Sequence, residues 1–180
     1  MHSKSTVKKC KVPSKFYHPF DDSSAPNEDY FKELIRVSRN QIIWGGNFFL
    51  NFLGRTSCLI VWDKGRRGMD QADCEIAWTS LKGQSRIFEY KWNGMLQQDM
   101  KNKEVRFHPT QKPIALYHWI LGRYAQKGYK ILDTHVGSAS SLIACHDMGC
   151  DFVGFELDKY YYEKAIERME QHFSQLRFEV

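Results

Sequence analysis

The chain has 180 residues, 42% of them hydrophobic, and a formal net charge of +5. That is enough apolar material for one domain with its own core, and no run of about 18 apolar residues offers a membrane span. The opening MHSKSTVKKCKV has no apolar stretch behind its charges, so a secretory signal is not expected and a soluble, reducing, cytoplasmic setting is.

The five cysteines, Cys10, Cys58, Cys74, Cys145 and Cys150, are odd in number and include no C-x-x-C pair. Neither a disulfide framework nor a zinc ribbon fits that pattern. Cys145, His146 and Cys150 lie close in sequence, but Cys145 reads as the buried face of a helix that MGC ends, and no metal is expected. The basic excess is compatible with a polyanion partner without demonstrating one. Its clusters are Lys8, Lys9, Lys11 and Lys15 near the start, and Arg55, Lys64, Arg66 and Arg67 in the middle. Each is either a phosphate-contacting patch or a solvated loop.

Residues 1–26 are rich in Lys, Ser, Pro and Asp without periodicity and read as a basic loop or arm. NEDYFKELIRVS, residues 27–38, spaces its apolar side chains helically, with Asn27 as N-cap and acids in the first turn. NQIIWGG predicts a short strand. SCLIVWD, from Ser57, predicts a strand buried on both faces, as in a parallel sheet. CEIAWTS and SRIFEYKW predict shorter β segments, and residues 92–107 an exposed, variable loop. HPTQKP then leads into a helix over IALYHWILGRYA, with Thr110 or Gln111 as cap and Pro113 in the first turn. KILD reads as a strand, SASSLIACHDM as a helix, FVGFE as a strand, and Asp158 to about Leu176 as a long helix. Strands alternating with helices predict an α/β domain with a mostly parallel sheet.

The unit from Tyr129 to Glu156 carries a chemical expectation. A parallel strand delivers Asp133 to the carboxyl edge of the sheet, where open α/β sheets bind ligands. Gly137 allows close backbone approach, Ser138 and Ser140 open the next helix, and the next strand ends at Glu156, a carboxylate suited to two neighbouring hydroxyls such as those of a ribose. The unit therefore fits a nucleoside-containing cofactor. A nucleotide-binding oxidoreductase is the rival reading, but G-x-G-x-x-G is absent, as is a P-loop G-K-S/T.

DTHVGSAS, at 133–140, resembles the D-P-F-x-G-S-G-T loop of S-adenosylmethionine-dependent DNA amino-methyltransferases. HPTQKP, at 108–113, resembles the segment those enzymes place just before that loop, and FVGFELDKYYYEKAIERM resembles their F-x-G-x-E strand and following helix. Together these cover residues 108–170 in the order of the β group, whose catalytic half precedes its cofactor half. NQIIWGGNFF and CLIVWDK extend the likeness through the first half, giving a catalytic half over 27–91 and a cofactor half over 108–180 of one Rossmann-like domain. The resemblance implies S-adenosylmethionine as cofactor and double-stranded DNA as partner. It puts Asp133 near the methionine amino group, with Thr134, His135, Gly137 and Ser138 in the cofactor loop. Glu156 falls on the ribose hydroxyls, and His108, Pro109, Thr110, Gln111 and Lys112 along the methionine end. Lys8, Lys9, Lys11, Arg55, Arg66 and Arg67 become candidate DNA contacts.

The departures matter. The family's second loop Gly is Ala139, which costs little unless its φ is positive. The family's catalytic Asp-Pro-Pro-aromatic tetrapeptide, which accepts the amino hydrogens and stacks on a flipped base, has no counterpart. The five prolines, Pro13, Pro19, Pro26, Pro109 and Pro113, include no Pro-Pro. The catalytic residues are thus unassigned, with Tyr17, Asp21 and Asp22 the first to consider. The chain resembles a member without its first segment, and a central strand beside the one ending at Asp133 is expected to come from residues 1–26, an upstream segment or a partner chain. Adenine-N6 is preferred over cytosine-N4 as target, and a non-catalytic relative that binds DNA or cofactor is the alternative.

Overall fold

The computed structural model describes residues 17–19, 24–68, 70–93 and 96–175. Helix α1, Glu28–Val37, starts where expected: the Asn27 side chain accepts from Tyr30 N at 3.0 Å, with Glu28 and Asp29 in the first turn and Arg36 in the last. Those charges suit the positive and negative ends of the helix dipole. Strand β1, Ile42–Trp44, leads through a 3-10 turn into the short helix α2, Leu50–Leu53. Phe31 of α1 packs there against Leu53 and Trp78.

Strands β2 (Leu59–Asp63), β3 (Cys74–Thr79) and β4 (Arg86–Glu89) join β1 in a four-stranded sheet of order β1-β3-β2-β4. The expectation of parallel strands holds for β2 with β4, whereas β3 runs antiparallel to both its neighbours. The reason lies in the connection over residues 64–73. It turns on Gly65 and Gly68, both with positive φ, and is too short for the helical crossover a parallel neighbour needs. Burial along β2 alternates, with Ile60 and Trp62 inside and Leu59, Val61 and Asp63 half-buried. SCLIVWD is therefore buried mainly on one face.

Residues 92–107 depart from the expected exposed loop. Trp92–Asn93 (β5) pairs antiparallel with Leu96–Gln97 (β6). Trp92 is only 2% exposed and lies in the core. The buried Gln97 amide ties the segment down, accepting from Glu104 N at 2.9 Å and donating to Glu104 O at 2.8 Å. A single aromatic anchor thus organises a segment whose composition is polar.

Helix α3, Ile114–Tyr124, is capped from a distance rather than by Thr110 or Gln111: Ile114 N donates to Glu104 Oε1 at 3.0 Å, and Pro113 at the N-cap offers no side-chain acceptor. This helix joins two cores. Its Leu116 and Ile120 pack with Ile60, Trp62, Ala77 and Trp92 of the large sheet. Its Leu121 packs with Ala144, Cys145 and Cys150, against Ile131 and Phe152.

The second half is a βαβα unit. Strand β7, Lys130–Asp133, pairs parallel with β8, Asp151–Gly154, across helix α4, Ser140–Asp147, and α5, Lys159–Phe173, follows. Gly149, with positive φ, closes α4 after Met148, as MGC suggested. Among the described residues β7 pairs only with β8 and β1 only with β3, so the two sheets each present an edge. Most of residues 1–26, from which a central strand was one expectation, lie outside the described residues, Asp21 and Asp22 among them. No described helix is long and apolar enough to cross a membrane.

Candidate cofactor site

The site is built on the loop between β7 and α4. Asp133 turns its carboxylate back onto that loop: Oδ1 accepts from His135 N at 2.9 Å, and Oδ2 accepts from the Ser141 hydroxyl. Glu156 lies two residues beyond β8 and closes the loop from the other side. Its Oε2 accepts from Gly137 N at 2.8 Å and its Oε1 from Asp158 N at 3.0 Å. Asp133 and Glu156 thus stand at neighbouring parallel strand ends with Gly137 strung between them.

The loop is conformationally demanding. Gly137 has φ +54° and Ala139 has φ +61°. Ala139 is the only non-glycine residue with positive φ among the described residues, so the condition under which alanine is costly is met. Its methyl is fully buried with Leu142 and Ala165.

The HPTQKP segment packs on this loop through His108. A Cβ on Gly137 would meet the His108 ring at 3.4 Å, close to ordinary contact, so it is the positive φ of +54° that favours glycine there. The His108 ring meets Tyr161 edge-on at 4.3 Å. Burial depresses its pKa below the usual imidazole value, Glu156 opposing and Lys112 reinforcing the shift. Thr110 Oγ1 lies 3.1 Å from His108 Nδ1. Gln111 is scaffolding: its amide accepts from Phe107 N and donates to Val105 O, and its carbonyl accepts from Trp92 Nε1. Lys112 points away from the loop, pairing with Glu75 Oε2 at 2.9 Å and lying over the Trp44 ring.

Lys64 completes that pair as a triad, 2.5 Å from Glu75 Oε1. Burial raises the Glu75 carboxyl pKa, but the two ammonium groups outweigh it and hold the carboxyl below its ordinary value. Pro109, Thr110 and Gln111 line a cleft of about 410 Å³ together with Tyr17, Glu75 and Arg106.

Three features were not visible in sequence. Arg168 of α5 donates to Ser138 O at 2.6 Å and to Ser140 Oγ at 2.9 Å, and its other nitrogen meets Glu104 Oε2 at 2.6 Å. Tyr30 of α1 reaches the loop with its hydroxyl 2.7 Å from Thr134 Oγ1, and its ring lies edge-on to His135. Leu157, next to Glu156, is fully exposed. The helical spacing of α1 grouped Tyr30 with its apolar side chains, and nothing in the sequence of α5 singled out Arg168. For Leu157 the signal was an apolar residue directly following the strand-end acid.

The basic candidates separate. Arg55 is exposed. Arg67 is exposed and donates to Asp63. Arg66 is turned inward: it is 9% exposed and donates to the Trp92 carbonyl and the Gln71 side chain. Its place in a surface patch is corrected on that ground, because its guanidinium satisfies buried carbonyl oxygen. Lys8, Lys9 and Lys11 lie outside the described residues. Cys145 packs into the α3–α4 core, and burial pushes its thiol pKa up to about 12.

The donor set fits a nucleoside. Each Glu156 oxygen receives one backbone N–H, which leaves a lone pair on each for a hydroxyl donor. The exposed Leu157 beside it provides an apolar surface for a ring. Two acids at adjacent parallel strand ends around a glycine loop, on a sheet with helices packed against it, define a Rossmann-like nucleoside-binding unit. The family model described as DNA methylase (N6_N4_Mtase) matches residues 12–167, and the chain belongs to that family.

The type II methyltransferase M.HpaI of Haemophilus parainfluenzae is 36% identical over 73 residues, 41% of this chain and 23% of that protein. M2.DpnII of Streptococcus pneumoniae, also a type II methyltransferase, is 34% identical over 79 residues, 44% and 29% of the respective chains. The chain thus spans under a third of the length of the curated relatives it matches. The crystal structure of an M1.HpyAVI–SAM complex shares the fold with a TM-score of 0.59 at 21% identity, over 80% of this chain and 83% of that one.

Proposed function

We propose that this chain provides the S-adenosylmethionine-binding half and strand scaffold of a DNA amino-methyltransferase acting on adenine N6 in double-stranded DNA. The observation that carries the reading is the pairing of Asp133 and Glu156 across the Gly137 loop. Glu156 accepts from the ribose hydroxyls through its free lone pairs while its backbone bonds fix its rotamer. Asp133, held by His135 N and Ser141, presents negative charge to the cofactor's amino group. His108, Pro109 and Thr110 wall the methionine end, and neutral His108 adds no repulsion toward a cationic cofactor. Leu157 covers the adenine ring. The cofactor, when bound, supplies an electrophilic methyl group on a sulfonium. With the cofactor held by Asp133 and Glu156, the target amino nitrogen would take that methyl, the N–C bond forming as the S–C bond breaks, and would then lose a proton.

Adenine N6 is preferred to cytosine N4 on the overall likeness of the motifs. The family's Asp-Pro-Pro-aromatic tetrapeptide has no counterpart in the sequence, so the group that orients the target amine falls to residues 1–26, an upstream segment or a partner chain, with a strand suited to the edges that β7 and β1 present among the described residues. The second reading, a relative that binds without methylating, rests on the same missing group.

Calorimetry with S-adenosylmethionine tests the cofactor assignment. Glu156→Ala is expected to weaken binding by about 1–3 kcal/mol, as for lost hydrogen bonds to a charged acceptor; unchanged affinity would refute it. Transfer of labelled methyl to unmethylated DNA by the chain alone is expected to be orders of magnitude below a typical enzyme. Nucleoside analysis of any product separates N6-methyladenine from N4-methylcytosine. DNA binding is expected to weaken steeply with salt, through counterion release.

A further inference from the structure

At the ends of α4 and α5 remote from the cofactor loop, four polar side chains from three helices converge. His146 and Asp147 are the last two residues of α4, and His172 is next to last in α5. Asp147 Oδ1 lies 2.8 Å from His172 Nε2 and 3.4 Å from His146 Nδ1, and the three residues each offer one ligand atom within 4.8 Å of the others. His118 of α3 approaches from the other side, with Nε2 3.0 Å from Asp147 Oδ2.

The 3.4 Å separation matches an ion's needs, while the 2.8 Å contact is a hydrogen bond that must open by about half an ångström to admit one. Nitrogen and oxygen ligands at about 2.0–2.1 Å from a tetrahedral ion stand about 3.3 Å apart. The remaining adjustment falls on His146, whose exposed ring can rotate, whereas the Asp147 side chain is held with 9% exposure. His118 occupies the carboxylate oxygen that faces away from the other two ligands. A bond from a second-layer residue to the free oxygen of a ligating carboxylate orients it toward the ion.

We propose that His146, Asp147 and His172 bind one zinc-class divalent ion, with His118 orienting the carboxylate. Two imidazoles and one carboxylate suit zinc, cobalt or nickel rather than calcium or magnesium, which prefer oxygen. The nearby Cys145 takes no part, because it is buried in the α3–α4 core. The ion joins the C-terminal ends of the two helices whose N-terminal ends adjoin the cofactor loop: α4 begins at Ser140, and α5 follows Glu156. It staples that helix pair and leaves a coordination position open for water. The ligands lie 25 residues apart in sequence, which is why the Cys145–His146–Cys150 spacing gave no hint of it.

The test uses the full chain, free of any affinity tag and stripped with chelator. Zinc is titrated in competition with a fluorescent zinc indicator, and cobalt is followed by its visible absorption. The expected result is one zinc per chain and a melting temperature raised by zinc and returned by chelator, as for any ligand selective for the folded state. His172→Ala and His146→Gln should each weaken zinc binding at least tenfold, and His118→Gln by about tenfold. His146 is exposed, so its variant decides the matter where His172→Ala fails to fold. No stoichiometric zinc, undiminished binding in His146→Gln, or thiolate-to-cobalt charge transfer would each overturn the proposal. None of these readouts depends on cofactor binding or methyl transfer.

Discussion

Glu104 and Arg168, 64 residues apart, form a 2.6 Å ion pair in which each side chain is 15% exposed. The pair couples three places at once. Glu104 caps the N-terminus of α3 through Ile114 N, and Arg168 holds the Ser138 carbonyl and the Ser140 hydroxyl of the cofactor loop. Burial raises the Glu104 carboxyl pKa and lowers that of the Arg168 guanidinium, each opposed by its partner. Removing one partner leaves the other's charge without its counterion. Arg168→Leu is expected to cost about 3–5 kcal/mol in urea unfolding. Glu104→Gln keeps an acceptor for Ile114 N and is expected to cost less. A cost below about 1 kcal/mol for Arg168→Leu would mean the pair is solvated and the loop is held by other bonds.

Ala139 sits at φ +61° with its methyl buried. Replacing it with glycine relieves about 1–2 kcal/mol of left-handed strain. The change also loses about 0.8 kcal/mol of methyl burial and adds about 0.5–1 kcal/mol of chain entropy to the unfolded state. The terms nearly cancel, so Ala139→Gly is expected to be neutral within about 0.5 kcal/mol. Ala139→Val adds β-branching and volume at the same point, and is expected to destabilise by more than about 3 kcal/mol. Equal melting temperatures for the valine variant and the parent would contradict this conformation of the loop.

His108 predicts a pH effect. Its folded pKa lies below the ordinary imidazole value of 6.5 because burial disfavours the cation. The unfolded chain therefore binds the proton first as pH falls. Stability should decline from about pH 6.5 down to the folded pKa and then level off. Above about pH 6.5 both states are neutral at this ring and the contribution is constant. Unfolding curves of His108→Gln are expected to lack this component; the same pH slope as the parent would assign it to another group.

Glu75 behaves oppositely. Lys112 and Lys64 hold its folded pKa below 4.5 against the effect of burial, so its contribution is present above about pH 4.5 and is lost as pH falls through the folded pKa. Lys64 and Lys112 have side chains only 12% and 13% exposed. Glu75→Gln therefore leaves two ammonium groups facing each other, at an expected cost of about 3 kcal/mol near neutral pH. High salt should recover little of it, because partly buried charges are poorly screened.

Much of the cofactor half was legible in sequence because its signals are local. KILD, the glycine loop, FVGFE and the Asp158-capped helix each carry their own period or cap, and the structure puts them where that period says. The antiparallel course of β3 was not legible, since it depends on two glycines in the 64–73 turn that also suit an ordinary loop. Arg66 and Gln111 were misleading for a shared reason: polar letters suggest a surface or a ligand, yet both are buried and bonded to backbone. The α3 cap was hidden because its acceptor, Glu104, lies ten residues upstream in a segment that looked irregular.

Helix α3 has a consequence for how the molecule comes apart. Ile120 and Leu121 are neighbours in sequence, yet one faces the four-stranded sheet and the other the β7–β8 unit. Opening either sheet strips one flank of this helix, and opening the helix exposes both. The amide protons of α3 are therefore expected to be among the slowest to exchange with solvent, and to exchange together with those of β2 and β7. The halves read separately from the sequence would then rise and fall as one cooperative unit.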